Sequence, residues 1–278
     1  MPKNIFAIFC CLLLGGCSTT LPIDPIVGDG QEAGEKKGLT INRVQYPFRW
    51  CPAGMFMMGS PEDELGKYLY ETQHQVTLTQ GFWMLETEVT QEMWRSVMGN
   101  NPSKFVGSRK PVESVSWDNC QEYIQKLNAL DVAPAGYKFS LPTDAQWEYA
   151  CRAGTTTALN NGKNLTDGDE ACPNLDEVSW YRKNSDLRTH PVGQKKANAW
   201  GLHDMHGNIA EWCLDWYGDY SSDSVTDPVG PTTSSVRVLR GGYKDGDAWT
   251  CRSARRSNCI PTYGDSGLGL RLALVREK

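Results

Sequence analysis

The sequence predicts an α+β protein, and three observations carry that assignment. Capped segments with helical apolar spacing come early, the last clear strand-like runs lie near its C-terminal end, and long aperiodic stretches separate them. Of the 278 residues 40% are hydrophobic, with 10 Trp and 11 Tyr spread along most of the chain, enough to bury a substantial core. No internal repeat is visible.

The N-terminus "MPKNIFAIFCCLLLGGCSTT" starts with Lys3 and continues into an apolar run, Ile5 to Leu14, too short to span a bilayer as a helix. "LGGC" follows and resembles a bacterial lipobox. That implies a signal peptide over 1–16 and lipidation of Cys17. Because Ser rather than Asp stands at 18, it also implies an outer-membrane lipoprotein facing the periplasm or the cell surface. Residues 17–40 have little to bury and read as a flexible tether, which leaves 41–278 as the folded domain.

"FRWCPAGMFMMGS" (48–60) alternates apolar and small residues and reads as a strand entering a polar loop over 61–75. Val76 and Leu78, then Phe82 and Met84, predict two strands around Gly81. Thr90 is a helix cap before "QEMWRSVM", with Gly99 as its stop. Ser116 caps a second helix, whose Cys120, Tyr123, Ile124 and Leu127 recur at helical spacing. Thr143 caps a third, with Trp147, Ala150 and Cys151 on one face and Gly154 after it. From 155 to 200 the pattern dissolves into loop, and 201–220 mixes turn residues with Trp212 and Trp216. "VRVLRGG" (236–242) and "LGLRLALV" (268–275) are the last strands.

The net charge is −5 with Lys and Arg scattered, so nucleic acid is excluded as a partner. Export removes Cys10 and Cys11 and commits Cys17 to lipid, leaving Cys51, Cys120, Cys151, Cys172, Cys213, Cys251 and Cys259. No CxxC pair occurs, which disfavours zinc and points to disulfides with at least one thiol left over. His203 and His206 lack a third nitrogen or sulfur ligand and read as surface or packing residues.

The order of "PAGMFMMGS", "EVTQEMW", "PVESVSW", "LPTDAQWEYACRAG", "GLHDMHGNIAEW", "RVLRGG" and "LGLRLA" resembles the formylglycine-generating enzyme (sulfatase-modifying factor) family across about residues 43 to 276. The resemblance implies a C-type-lectin-like fold with little regular secondary structure. Enzymes of that family oxidise a substrate cysteine at a copper ion held by two thiolates, soft ligands suited to Cu(I). Their cysteine pair follows the Gly-Gly turn, and here 243–250 contains no cysteine. No copper and no catalytic residue are therefore expected. The structural cysteine corresponds to Cys251, and its implied disulfide partner is Cys151; such a bridge would close a loop of about 100 residues, worth up to ~4–5 kcal/mol. Cys51, Cys120 and Cys213 leave alternatives for a second bridge. The resemblance also implies a structural Ca²⁺ held by Asp204, the carbonyls of Gly207 and Ile209, and Glu211, an all-oxygen set. A plain turn with a salt-bridged glutamate is the alternative.

The frame "RVLRGG…CRSARR…LGLRLA" also resembles the variable proteins of diversity-generating retroelements, many of them lipoproteins, whose C-terminal codons are rewritten at template adenines. Codons ending in a pyrimidine cannot encode Glu, Gln, Lys, Met or Trp. Tyr243, Asp245, Gly246, Asp247, Thr250, Ser257, Asn258, Cys259, Ile260, Tyr263, Gly264, Asp265, Ser266 and Gly267 all satisfy that limit, while Lys244 and Trp249 must be fixed positions. Tyr, Ser, Gly and Asn are also the residues of adaptable binding surfaces. The expectation is a lipid-anchored, non-catalytic protein that binds a protein or other macromolecular ligand through Tyr243, Asp245, Asp247, Trp249, Thr250, Ser257, Asn258, Ile260, Tyr263, Asp265 and Ser266. A formylglycine-generating oxidoreductase and a fixed accessory lipoprotein of an envelope machine are the alternatives.

Overall fold

The computed structural model describes residues 23–168 and 171–277; the predicted signal peptide and Cys17 lie outside them. The first elements are β1 (Lys36–Ile41) and β2 (Val44–Cys51), an antiparallel hairpin. It turns through Asn42 and Arg43, both at positive φ, the geometry that matches strand twist in two-residue turns. The strand predicted over 48–60 is two strands, because Pro52 has no N–H to continue the ladder. β3 (Gly54–Met58) leaves for another sheet, where it pairs with β4 (His74–Leu78). β5 (Phe82–Leu85) returns to β2.

The three predicted helices are present with their predicted caps. α1 (Gln91–Met98) starts at Thr90, whose side chain accepts from the Met93 N–H, and stops at Gly99 in the left-handed region. α2 (Trp117–Ala129) and α3 (Asp144–Arg152) carry reciprocal capping boxes at Ser116/Asn119 and Thr143/Gln146, on either side of β6 (Tyr137–Ser140). The remaining elements are short: α4 (Pro173–Asp176), β7 (Ser179–Trp180), β8 (His206–Gly207), β9 (Ala210–Trp216), β10 (Val225–Thr226), β11 (Arg237–Arg240), a 3₁₀ turn Ala248–Cys251, β12 (Arg256–Cys259), β13 (Leu268–Gly269) and β14 (Ala273–Arg276).

Four sheets result, with strand orders β1-β2-β5-β14-β6, β12-β11-β9-β13, β10-β4-β3 and β7-β8. The C-terminal β14 sits between β5 and β6, so the end of the chain closes the first sheet. Tyr46, Phe48, Trp83 and Leu85 of that sheet pack against Trp94, Tyr123 and Leu127 of α1 and α2, and the Tyr46 and Tyr123 hydroxyls meet at 3.0 Å. A second cluster joins Phe82, Met84, Trp147, Ala150 and Leu202.

The predicted tether is corrected over its described part. Residues 23–40 are packed onto the domain: Ile26 is buried, the Trp83 indole N–H donates to the Gly28 carbonyl, and Arg276 pairs with Asp29. Ile26 in the core, this hydrogen bond and the ion pair together hold the segment down.

Candidate functional site

The segment opened by Gly241-Gly242 is clamped by arginines of the motifs that flank and interrupt it. Arg240 is fully buried; its Nε donates to Asp144 at 2.5 Å and its Nη2 to Glu148 at 2.8 Å. Arg252 donates to Glu64 at 2.6 Å and to Glu71 at 2.8 Å. Arg256 reaches Asp144 at 2.9 Å, with its guanidinium 3.8 Å from the Tyr220 ring centre. Arg271 binds Glu211 at 2.7 Å and donates to the carbonyls of Leu85 and His203. Burial pushes Asp144 up, but Arg240 and Arg256 outweigh it and hold the carboxyl below its ordinary value. The regular Arg spacing in "RGG…CRSARR…GLR" is thus a set of buried anchors. Of the side chains between them, Tyr243, Ser257, Asn258 and Tyr263 face outward, whereas Lys244 and Ala248 are buried.

These outward residues meet over β11, β9 and β13. A cavity of about 340 Å³ has an apolar floor of Leu239, Ala210 and Leu268, and walls that include Tyr243, Trp249, Thr250, Ser257, Asn258, Cys259, Tyr263 and Asp265. An apolar floor with a few polar wall groups is the usual make-up of a binding pocket. Gly242, at φ +72°, makes the turn into this wall possible: a Cβ there would lie 2.7 Å from both Cys251 Sγ and the Thr250 carbonyl. Tyr243 and Tyr263 are partly exposed at the mouth.

Four predicted ligand residues stand outside the lining. Asp245 is paired with Lys244 at 2.7 Å, Asp247 with Arg182 at 3.0 Å, Ile260 is half exposed, and Ser266 lies between wall and floor without lining either. Sequence reasoning missed Arg255, a wall residue hidden inside the motif "CRSARR" and read there as structural frame. It also missed the floor, where Ala210 and Leu268 are paired across a parallel strand contact. The adjacent apolar pair Val238-Leu239 in "RVLR" was the available signal for Leu239.

Cys151 and Cys251, the implied disulfide pair, are free thiols in this structure, as are the other five cysteines of the described residues. Cys151 Sγ faces Ser253 Oγ at 3.6 Å and His206 Nε2 at 3.9 Å. Cys251 Sγ faces Gly242 and Thr250. The His206 imidazole stands between the two residues, its Nδ1 2.5 Å from the Cys251 carbonyl. Burial pushes the Cys151 thiol up to about 12 and the Cys251 thiol up to about 11, so both stay protonated near neutrality.

The implied calcium set does not fit. Both Glu211 oxygens are taken, by Arg271 and by the Trp147 indole N–H at 2.6 Å. Of the two carboxylates, only Asp204 Oδ1, buried without a partner, is left open, while Oδ2 accepts from the Gly193 N–H at 2.7 Å. No three His, Cys, Asp or Glu side chains among the described residues are grouped so as to hold a metal. Arg271 supplies the positive charge instead, and the salt-bridged glutamate is what stands at this turn.

A second cavity, of about 580 Å³, opens beside His74, Asp144, Asp215, Tyr220 and Arg256, behind the arginine anchors. Burial, reinforced by Asp144, pushes Asp215 up to about 7. Its proton is therefore held more tightly in the folded chain than in the unfolded one. This contribution favours the fold at low pH and is lost as pH rises through about 7. Asp215→Asn should accordingly melt at a higher temperature than the parent at pH 8, with the difference shrinking towards pH 5 in thermal scans followed by circular dichroism.

The family profile described as the sulfatase-modifying factor enzyme 1-like domain matches residues 47–276. The chain is 33% identical over 219 residues to the chaperone protein LppX of Paenibacillus barcinonensis, covering 60% of this chain and 75% of that protein. It is also 33% identical over 195 residues to the formylglycine-generating enzyme of Streptomyces coelicolor, covering 65% of this chain and 57% of that enzyme, so it spans little more than half of the enzyme's length. Among solved structures, Treponema denticola variable protein 1 superposes with a TM-score of 0.76 at 33% identity, covering 86% of this chain and 98% of that one.

Proposed function

The chain belongs to the sulfatase-modifying factor enzyme 1-like family, with the C-type-lectin-like α+β fold of its variable members, and from that premise we propose that it is a lipid-anchored, non-catalytic ligand-binding protein of the bacterial envelope. The observation that carries this reading is the meeting of Tyr243, Trp249, Thr250, Ser257, Asn258, Tyr263 and Asp265 around one apolar-floored pocket, on a backbone clamped by buried arginines. Rigid anchors with exchangeable side chains between them suit a surface whose specificity changes while its fold does not. The likeness to a variable protein over nearly its whole length supports the same reading. Lipid attachment rests on the "LGGC" motif and Cys17.

Oxygen activation by the family's copper chemistry needs two thiolates side by side. The pocket has one lining thiol, Cys259, which burial holds above its ordinary value, and Cys251 lies beneath Gly242 with its proton retained. The purified protein given Cu(I), oxygen and a cysteine-containing peptide is therefore expected to show no peptide-dependent oxygen uptake and no aldehyde product by mass spectrometry. Turnover would overturn the reading.

A second reading is favoured by the likeness to the Paenibacillus chaperone: a fixed partner-binding lipoprotein that uses the same pocket without variation. Deep sequencing of the gene's 3′ end within one culture separates the two. Substitutions confined to codons such as 243, 257, 258 and 263 support a diversified surface, and a uniform sequence beside no reverse-transcriptase gene supports the fixed one.

A further inference from the structure

Arg255 is the cation at the pocket that no carboxylate answers. Asp245 and Asp247 are matched by Lys244 and Arg182, Arg240 by Asp144 and Glu148, and Asp265 accepts from the Gly267 N–H at 2.7 Å and the Tyr263 hydroxyl at 3.2 Å. Arg255 forms no ion pair among the described residues. Its guanidinium is instead caged by rings, with its carbon 4.3 Å from the centre of Tyr68, 5.5 Å from Tyr70 and 5.7 Å from Trp249. Nη1 donates to the Tyr70 hydroxyl and to the Arg256 carbonyl. Nε is buried with no acceptor, and Nη2, on the same edge of the fork, has none among the described residues.

The unpaired Nη2 suits a carboxylate oxygen, which accepts a charge-assisted hydrogen bond from a guanidinium N–H. The aromatic cage holds the fork in place, so little side-chain freedom is lost on binding. The strand that follows points to the kind of molecule that carries the acid. β12 is the outer strand of its sheet, bonded only to β11, and its Ser257 and Asn258 are exposed in the pocket wall. Its outer edge offers extended backbone donors and acceptors to an added strand.

We infer that the ligand is a protein presenting an extended acidic segment, which lies along β12 and seats an Asp or Glu carboxylate on Arg255. This deepens the ligand-binding reading of the same pocket and rests on it. Arg255 is then a specificity-setting residue that recognises charge, while the residues around Tyr243, Ser257 and Tyr263 select the flanking side chains.

Panning a random peptide phage library against the immobilised full-length protein, held in detergent, tests this. The expected result is enrichment of Asp or Glu at one aligned position over the starting library. Changing that peptide residue to its amide should weaken binding to the unmodified protein by at least about tenfold, the usual scale for a hydrogen bond to a charged group. Arg255→Gln should erase the acidic preference while the melting curve keeps its shape, and the peptide-side amide change decides the matter even if that variant does not fold. Binders without an acidic position, or acidic binders indifferent to the amide change, would overturn the inference and leave ligand binding standing. A library that yields no binder at all counts against the ligand-binding reading and takes this inference with it.

Discussion

Arg271→Met is expected to cost about 3–5 kcal/mol of stability, because it strands buried carboxylates without their cation. Glu88, Asp204 and Glu211 are all buried around this one guanidinium, which binds Glu211 through Nη2 at 2.7 Å and Nε at 3.1 Å. Burial, with the neighbouring Asp204 and Glu211 charges, already pushes Glu88 well above its ordinary value. Taking Arg271 away removes the positive charge that opposes that push, leaving only the Asn208 hydrogen bond against it. In a domain of this size each kcal/mol shifts the midpoint by roughly 2–4 °C, so calorimetry should show a fall on the order of 10 °C. Adding Glu211→Gln to the same chain should restore part of the loss, since one stranded charge disappears, and subtracting the cost of Glu211→Gln alone gives the coupling between the two residues. Lowering the pH should also narrow the gap, because protonated carboxyls no longer need the guanidinium. A variant that melts with the parent would show that these charges are not arranged around Arg271 as described.

Gly207→Ala is expected to be about as damaging, for a steric reason. Gly207 sits at φ +75°, which costs an L-residue roughly 1–2 kcal/mol by itself. An added Cβ would lie 2.2 Å from the Trp180 carbonyl oxygen and 2.4 Å from Ser179 Oγ. The backbone of β7 cannot move aside without giving up its pairing with β8, and the Gly207 N–H also holds the Gly241 carbonyl at 2.8 Å. Overpacking of this kind adds about 1–3 kcal/mol or more. Urea denaturation should therefore place the variant's midpoint far below the parent's, with the Gly-Gly turn of the pocket loosened first. Gly154→Ala is the control: φ is +92°, but no atom lies within 4 Å of the added carbon, so only the conformational term of about 1–2 kcal/mol remains.

Both variants act on one design. The proposed binding face is irregular in sequence, yet its supports are buried ion pairs and a glycine turn whose geometry admits little change. Side chains at 243, 257, 258 and 263 can then vary without repacking the interior, since each is exposed.

Much of this was legible in the sequence. Thr90, Ser116 and Thr143 announced the three longer helices because capping is local chemistry, settled by residues within one turn. The order of seven motifs carried the family. β6, β9 and β12 were not legible: two are four residues long, and β9 is buried along most of its length, so no alternation marks it. Nor could the sequence tell that residues 23–40 pack down, that Cys151 and Cys251 each face other partners, or that Glu211 belongs to Arg271. Those outcomes depend on which groups meet across separations such as the 60 residues between Glu211 and Arg271. Local propensity says where a turn or cap must fall, whereas the pairing of buried charges and the assembly of a pocket from three stretches of chain are decided only when the sheets close and water is expelled.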